Sequence, residues 1–288
     1  MTAPLAGITE TPPEKKQRSL HAGRRRSQRM FRWAIVTLVL LFFAVPILSL
    51  LDSSSRLRGG GRDWSAWQPI LQVFSSDDAS SQLIREGLLN SLLLVIATLL
   101  LMLLLLIPTM IWIRLRVPYL RRVMEFVCLL PLTIPAIVLV VGLGPVYRRV
   151  ADLLGTGSVW LCFIYAILVL PFAYRALDAG LDSIEVRTLS EAARSLGAGW
   201  GTVMFRIVLP NIRTAVVSAS FISLALVLGE YTVASLLARR NLQTAIFLVG
   251  QNNVKTASAL ALVALALGFV LLFLLSLVSS RMSRKATP

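Results

Sequence analysis

Leu88–Trp112 reads LLNSLLLVIATLLLMLLLLIPTMIW, 25 residues without an acidic or basic side chain. A helix rises about 1.5 Å per residue, so roughly 20 apolar residues cross the ~30 Å hydrocarbon core of a bilayer. This run is long enough to do so. Five more are apolar over 19 to 24 residues with at most one charged side chain each: Trp33–Leu51, Met124–Val146, Val159–Leu177, Ala215–Leu237 and Ala257–Ser280. Charged residues make up 15% of the 288, and mean hydropathy is +0.76, whereas soluble domains are about a quarter charged. Lipid leaves only helices and closed barrels as spanning structures, because backbone groups there must pair internally. The runs lack the apolar–polar alternation of barrel strands. The expected fold is an all-α membrane protein whose six transmembrane helices form one domain over residues 33–280.

A net charge of +15 invites a nucleic-acid reading, but the charge is distributed by side. Lys and Arg number 20 in the N-terminal stretch, the second and fourth loops and the C-terminal stretch, against nine in the remaining loops. The positive-inside bias then puts both termini in the cytoplasm and argues against a nucleic-acid partner, since the basicity is mostly topology. Residues 52–85 become an external loop and 178–211 a cytoplasmic one. Residues 1–32, with Pro4, Pro12 and Pro13, are expected as a disordered basic tail able to touch membrane lipid. Residues 281–288 form a second cytoplasmic tail. The first apolar run is longer than a signal-peptide core and no A-x-A-like site follows it, so it reads as an uncleaved span. In the external loop, Trp64 and Trp67 fit an interfacial aromatic belt or a docking contact.

Little here supports chemistry. Cys128 and Cys162 fall inside spans and read as packed apolar residues, and His21 stands alone. No phosphate-binding glycine loop precedes a Lys-Ser/Thr pair, so this chain is not expected to hydrolyse ATP. Catalytic residues, a metal site and a cofactor bound by this chain are all expected to be absent.

Between the fourth and fifth runs lies the polar stretch Thr188–Ile212, TLSEAARSLGAGWGTVMFRIVLPNI. Thr188 and Glu191 have capping-box spacing, and Gly197 stands where a helix ends in a left-handed residue. A short helix, Leu189–Leu196, is expected, roughly 12 Å long. Gly199 and Gly201 then allow a turn into a second helical segment, Thr202–Val208, with Val203, Met204 and Ile207 on one face. Two readings stay open. Ala192 and Ala193 remove bulk, Leu196 offers an apolar anchor and Arg194 a rim charge, which suits docking. Alternatively, Glu191 only caps and the alanines reflect helix propensity.

The same stretch resembles the EAA signature of binding-protein-dependent ABC importer permeases: Glu191-Ala192-Ala193, three residues, Gly197, nine residues, Ile207, then Leu209-Pro210. The resemblance implies a type I importer permease fold. It makes the segment a coupling helix, in which Glu191, Ala192, Ala193, Leu196 and Gly197 seat on a cytoplasmic ATPase and Ile207, Leu209 and Pro210 shape the return to the membrane. It also implies two ATPase subunits carrying ATP and Mg, a second permease (homologous or identical), an extracytoplasmic solute-binding protein and a small solute. The location implied is a bacterial inner membrane, crossed several times. "LLPLTIPAIVLVVGL" (Leu129–Leu143), "LVLPFAYRAL" (Leu168–Leu177) and "LGEYT" (Leu228–Thr232) resemble the subgroup for spermidine and putrescine, ferric iron, thiamine, aminoethylphosphonate or oxyanions. A polyamine or related amino-bearing solute is favoured. An ion-coupled secondary transporter is the competing class, but it needs midplane ion ligands, usually in repeated halves, and the sequence shows no inverted repeat and few acids within its apolar runs.

Prolines at 46, 108, 131, 135, 145 and 171 lie in or beside spans. Pro131 and Pro135, with Thr133 between them, are candidates for a cavity wall or for a plain packing kink. Glu230, beside Tyr231, is the only acid in the fifth run. A charge at a span centre costs about 2.5–3.5 kcal/mol on insertion scales. Glu230 therefore reads as a gate in the substrate pathway, or as half of a salt bridge with Arg239 or with a partner permease.

Overall fold

The computed structural model describes residues 15–57 and 61–284, with side chains over 30–57 and 61–277. Among the described residues there is no strand beyond an isolated bridge between Arg56 and Arg62. The first helix, α1 (Lys15–Ser55), belongs up to Asp52 to a unit of its own. It begins at Lys15 rather than Trp33, so the basic stretch from Lys15 to Arg32 is helix and not the unstructured tail expected. The reason is local. Arg, Lys, Gln, Ala and Leu are good helix formers, and no proline interrupts the chain between Pro13 and Pro46. Residues 1–14 and 285–288 lie outside the described residues. From Met30 to Ser55 the helix is apolar, and Phe42, Phe43 and Leu48 are exposed, as suits a helix bathed in hydrocarbon.

The second unit, from Ser53 onward, carries the remaining helices. Single helical turns at Ser65–Trp67 and Gln68–Leu71 precede α2 (Ala79–Arg116). Asp78 caps α2 by accepting the Ser81 N–H (3.1 Å). Hydrogen bonds from the hydroxyls of Ser76 and Ser81 hold this acid at about 2, well below the usual carboxylate range. The helix ends where Pro118 drives Val117 out of the helical region (φ −140°).

The third expected run, Met124–Val146, is not one helix. α3 (Arg121–Leu129) passes through a tight turn, Leu130–Thr133, into α4 (Ala136–Leu154), and the two halves diverge by 106°. Pro135 forces Ile134 into extended conformation (φ −105°, ψ 119°), which no helix tolerates. α5 (Cys162–Asp182) is continuous through Pro171. After α6 (Val186–Ser195), the helical segment α7 (Trp200–Asn211) meets α8 (Arg213–Gly229) at a 74° bend. The fifth expected run, Ala215–Leu237, is also broken, because Glu230 leaves the helix (ψ 121°) before the short α9 (Thr232–Leu236). An Asn241–Thr244 capping box opens α10 (Leu242–Asn252), and α11 (Val254–Arg284) carries the sixth run.

Among the described residues, four helices are thus long and apolar enough to cross a membrane, Met30–Ser55, Ala79–Arg116, Ser158–Asp182 and Val254–Leu277, and up to six spans result if each bent pair counts as one. This is an all-helical, multi-pass membrane protein. Its main core lies where α5 packs on α8 and α2, around the fully buried Leu94, Leu106, Tyr165, Tyr174, Leu177 and Ile212. Small residues permit the closest approach, since a Cβ added at Gly180 would stand 2.1 Å from that of Ala215. Cys128 and Cys162 are buried, free thiols in the same core.

Candidate functional site

The Thr188–Ile212 stretch begins inside a helix instead of at its cap. α6 starts at Val186, and Glu185 caps it without a side-chain bond. Thr188 and Glu191 therefore do not form a capping box. The helix starts early because Val186, Ser190 and Ala193 form an i, i+4, i+7 stripe buried against the unit. Ser190 keeps its hydroxyl satisfied by donating to the Val186 carbonyl (2.6 Å). Glu191 instead accepts from Arg187 Nε (2.9 Å), an exposed pair worth about 0.3–0.5 kcal/mol. The two alanines differ: Ala192 faces out, and Ala193 packs inward.

The end of α6 is sharply defined. Gly197 adopts φ +85°, its N–H bonds the Arg194 carbonyl (3.0 Å), and the Ala198 N–H bonds that of Ala193 (3.1 Å). This is a Schellman closure, and it needs a residue free to take a left-handed conformation. It leaves Leu196 89% exposed at the tip, beside exposed Glu191 and Ala192. In α7 the Leu209 N–H reaches back five residues to Met204, and this wide turn lets both Val203 and Val208 point into the core. Ile207 and Leu209 are half-buried and Pro210 is exposed at the bend.

One cluster beside this element escaped the sequence reading. Arg114, at the end of α2, bonds Asp178 (2.5 Å) and Asp182 (2.6 Å) of α5, and Arg121 of α3 bonds the same two acids (3.0 and 2.5 Å). The two arginines tie three helix ends together directly ahead of α6. Charge counting assigned them to topology alone, although two acids four apart at the end of an apolar run were a visible sign.

Within the membrane unit, a cavity of about 280 Å³ opens between the α3–α4 break, α5 and the end of α8. Pro131, Ile134, Tyr165, Phe172 and Glu230 line it, and Glu230 and Tyr165 supply its polar side chains. Pro131 and Glu230 thus come together. Thr133 and Pro135 flank the cavity without lining it, and the Thr133 hydroxyl donates to the Leu130 carbonyl (2.8 Å), re-pairing an acceptor at the break. Tyr231 turns away to pack on Phe247 (centroids 5.5 Å apart).

Glu230 is held by neutral donors. Its carboxylate accepts from the Tyr165 hydroxyl (2.7 Å) and from the Val233 N–H (2.9 Å), and the Asn241 amide donates to its carbonyl (2.7 Å). The salt bridge with Arg239 does not form. Arg239 donates to the Thr156 carbonyl instead, and no Lys or Arg pairs with Glu230 among the described residues. Asn241 and Tyr165 carried no local signal, because they meet Glu230 from 11 and 65 positions away in the chain. Between the first two membrane-length helices, Trp64 is half exposed and stands 6.2 Å from Trp67. No group of three or more His, Cys, Asp or Glu able to hold a metal occurs among the described residues.

Residues 111–284 match the family of binding-protein-dependent transport system inner membrane components. The chain belongs to that family. As a permease component it is of a kind that carries no catalytic machinery. It is also similar to the "Probable ABC transporter permease protein y4fN" of Sinorhizobium fredii, 28% identical over 267 residues. The match covers 88% of the permease chain and 44% of that relative, so the chain spans less than half of the relative's length.

Proposed function

We propose that the chain is the transmembrane permease subunit of an ATP-driven importer, and that α6 is the lever through which cytoplasmic ATPase subunits move it. The observation that carries this reading is Leu196, 89% exposed at the tip of a helix whose other face is anchored by Val186, Ser190 and Ala193. An apolar side chain displayed beside a left-handed glycine is suited to a pocket on another protein. The charge bias of the loops supports six spans with both termini, and this helix, in the cytoplasm of a bacterial inner membrane. A second permease would complete the pathway; y4fN is long enough to hold two units of this length. ATP and Mg would bind the partner ATPases, and an extracytoplasmic protein would deliver the solute.

The topology has a direct test. Ser195→Cys, on the exposed end of α6, is expected to react with a membrane-impermeant maleimide in inside-out vesicles and to stay unlabelled in intact cells. Labelling in intact cells overturns the reading.

Glu230 is proposed as the polar contact of the pathway. A lone carboxylate in a cavity whose other polar side chain is the neutral Tyr165 favours a cationic, amino-bearing solute, a polyamine among them. Ferric iron, thiamine, aminoethylphosphonate and oxyanions are the alternatives within the same family. Glu230→Gln keeps an acceptor for Tyr165 and removes the charge. Solute uptake by the complete transporter is expected to fall roughly tenfold or more, the scale of a lost charge-assisted contact of about 1.5–3 kcal/mol. Unchanged uptake and affinity would remove Glu230 from the pathway.

A further inference from the structure

We infer that the groove between α2 and the first turns of α7 is a binding site for one anionic phospholipid, its acyl chain in the groove and its phosphate on Arg116 and Arg194. The groove encloses about 440 Å³, within the range of ligand sites, and its lining includes Pro108, Ile111, Trp112, Trp200 and Met204. Trp112 and Trp200 are both partly exposed there. Indole rings favour the headgroup level of a membrane, where one end is apolar and the other wet. At that depth the apolar material available to fill a slot is an acyl chain.

The charge at the mouth selects the headgroup. The guanidinium carbons of Arg116 and Arg194 lie 4.8 and 4.9 Å from the centre of the Trp200 ring, so one indole gathers both cations. Neither arginine has a carboxylate partner among the described residues. Arg114 and Arg121, close by in the chain, are matched by Asp178 and Asp182. Stacking on a ring leaves the in-plane N–H donors of a guanidinium available, the geometry that grips phosphate bidentately. A lipid seated there joins the end of α2, through Arg116, to α6, through Arg194. The site stands independently of any role for α6 in coupling.

Native mass spectrometry of the intact chain in nanodiscs tests this with phosphatidylglycerol and phosphatidylcholine as probes. One retained phosphatidylglycerol per chain is expected, with phosphatidylcholine lost. Basic side chains near a membrane each contribute about fivefold to anionic-lipid affinity, so R116Q/R194Q should weaken retention about 25-fold. Gly201→Leu keeps both arginines and adds bulk where nothing lies within 4 Å of a new Cβ, and Gly201 lines the groove. It is expected to expel the bound lipid. Equal retention of the two headgroups overturns the site, as does unchanged phosphatidylglycerol retention in either variant. If R116Q/R194Q releases ATPase subunits and leaves lipid retention intact, the arginines serve that partner and the proposal fails.

Discussion

Leu196→Asp is expected to abolish ATP-driven uptake while the chain still folds and inserts. The side chain is 89% exposed and takes no part in the core, and surface substitutions of this kind usually move stability by no more than about 0.5 kcal/mol. An apolar anchor at the centre of an interface is different. Losing such a residue typically costs 2 kcal/mol or more of binding, about 30-fold, and a carboxylate in its place adds desolvation. Co-purification of ATPase subunits with the tagged chain, followed by their ATP hydrolysis in the presence of solute, reads the effect. Gly197→Val is the companion variant. Nothing lies within 4 Å of a Cβ at Gly197, so no clash arises, yet φ +85° becomes strained by roughly 1–2 kcal/mol and the tip is re-aimed. If both variants retain their ATPase and transport normally, α6 is not the lever.

Gly180→Ala carries the second large effect, and it acts on folding. The added methyl would sit 2.1 Å from the Ala215 Cβ, at the most extensive helix pairing of the unit, α5 against α8. Neither helix can yield alone, because Leu177 and Leu181 on one side and Ile212 and Ala219 on the other are fully buried. Overpacking of this kind costs about 1–3 kcal/mol, read as a lower thermal midpoint of the purified protein in detergent. The swap Gly180→Ala with Ala215→Gly removes the offending atom, leaving the next approach at 3.6 Å, and is expected to recover most of the loss. Failure of the swap to recover stability would mean that the two residues do not define this contact.

These expectations separate what is local in the protein from what is not. Composition and uninterrupted length suffice for a helical membrane protein, because an apolar run in lipid has no other way to pair its backbone. Gly197 is legible for a similar reason. A left-handed helix end depends on a few neighbouring residues, and glycine is the residue that takes it freely. The Thr188–Glu191 box misled because a capping pattern competes with burial. Val186, Ser190 and Ala193 gain more by extending the helix inward than Thr188 gains by capping it.

Pro131 and Pro135 marked the break in the third run, but a proline states only that a helix is interrupted. The two halves diverge by 106°, with α3 packed on α5 and α4 on α9. Glu230 was conspicuous by its charge alone. That Tyr165 and Asn241 would hold it, and that Arg239 would turn to Thr156, follows from α5 and the segments after α8 and before α10 coming together. The pairing of Arg114 and Arg121 with Asp178 and Asp182 is decided the same way. By itself the sequence determined the solvent, the helical class and the left-handed helix end at Gly197, since each depends on residues adjacent in the chain. The cavity, the groups that hold its carboxylate and the clamp ahead of α6 were settled only by tertiary structure, because their partners lie 11 to 68 residues apart and meet through packing.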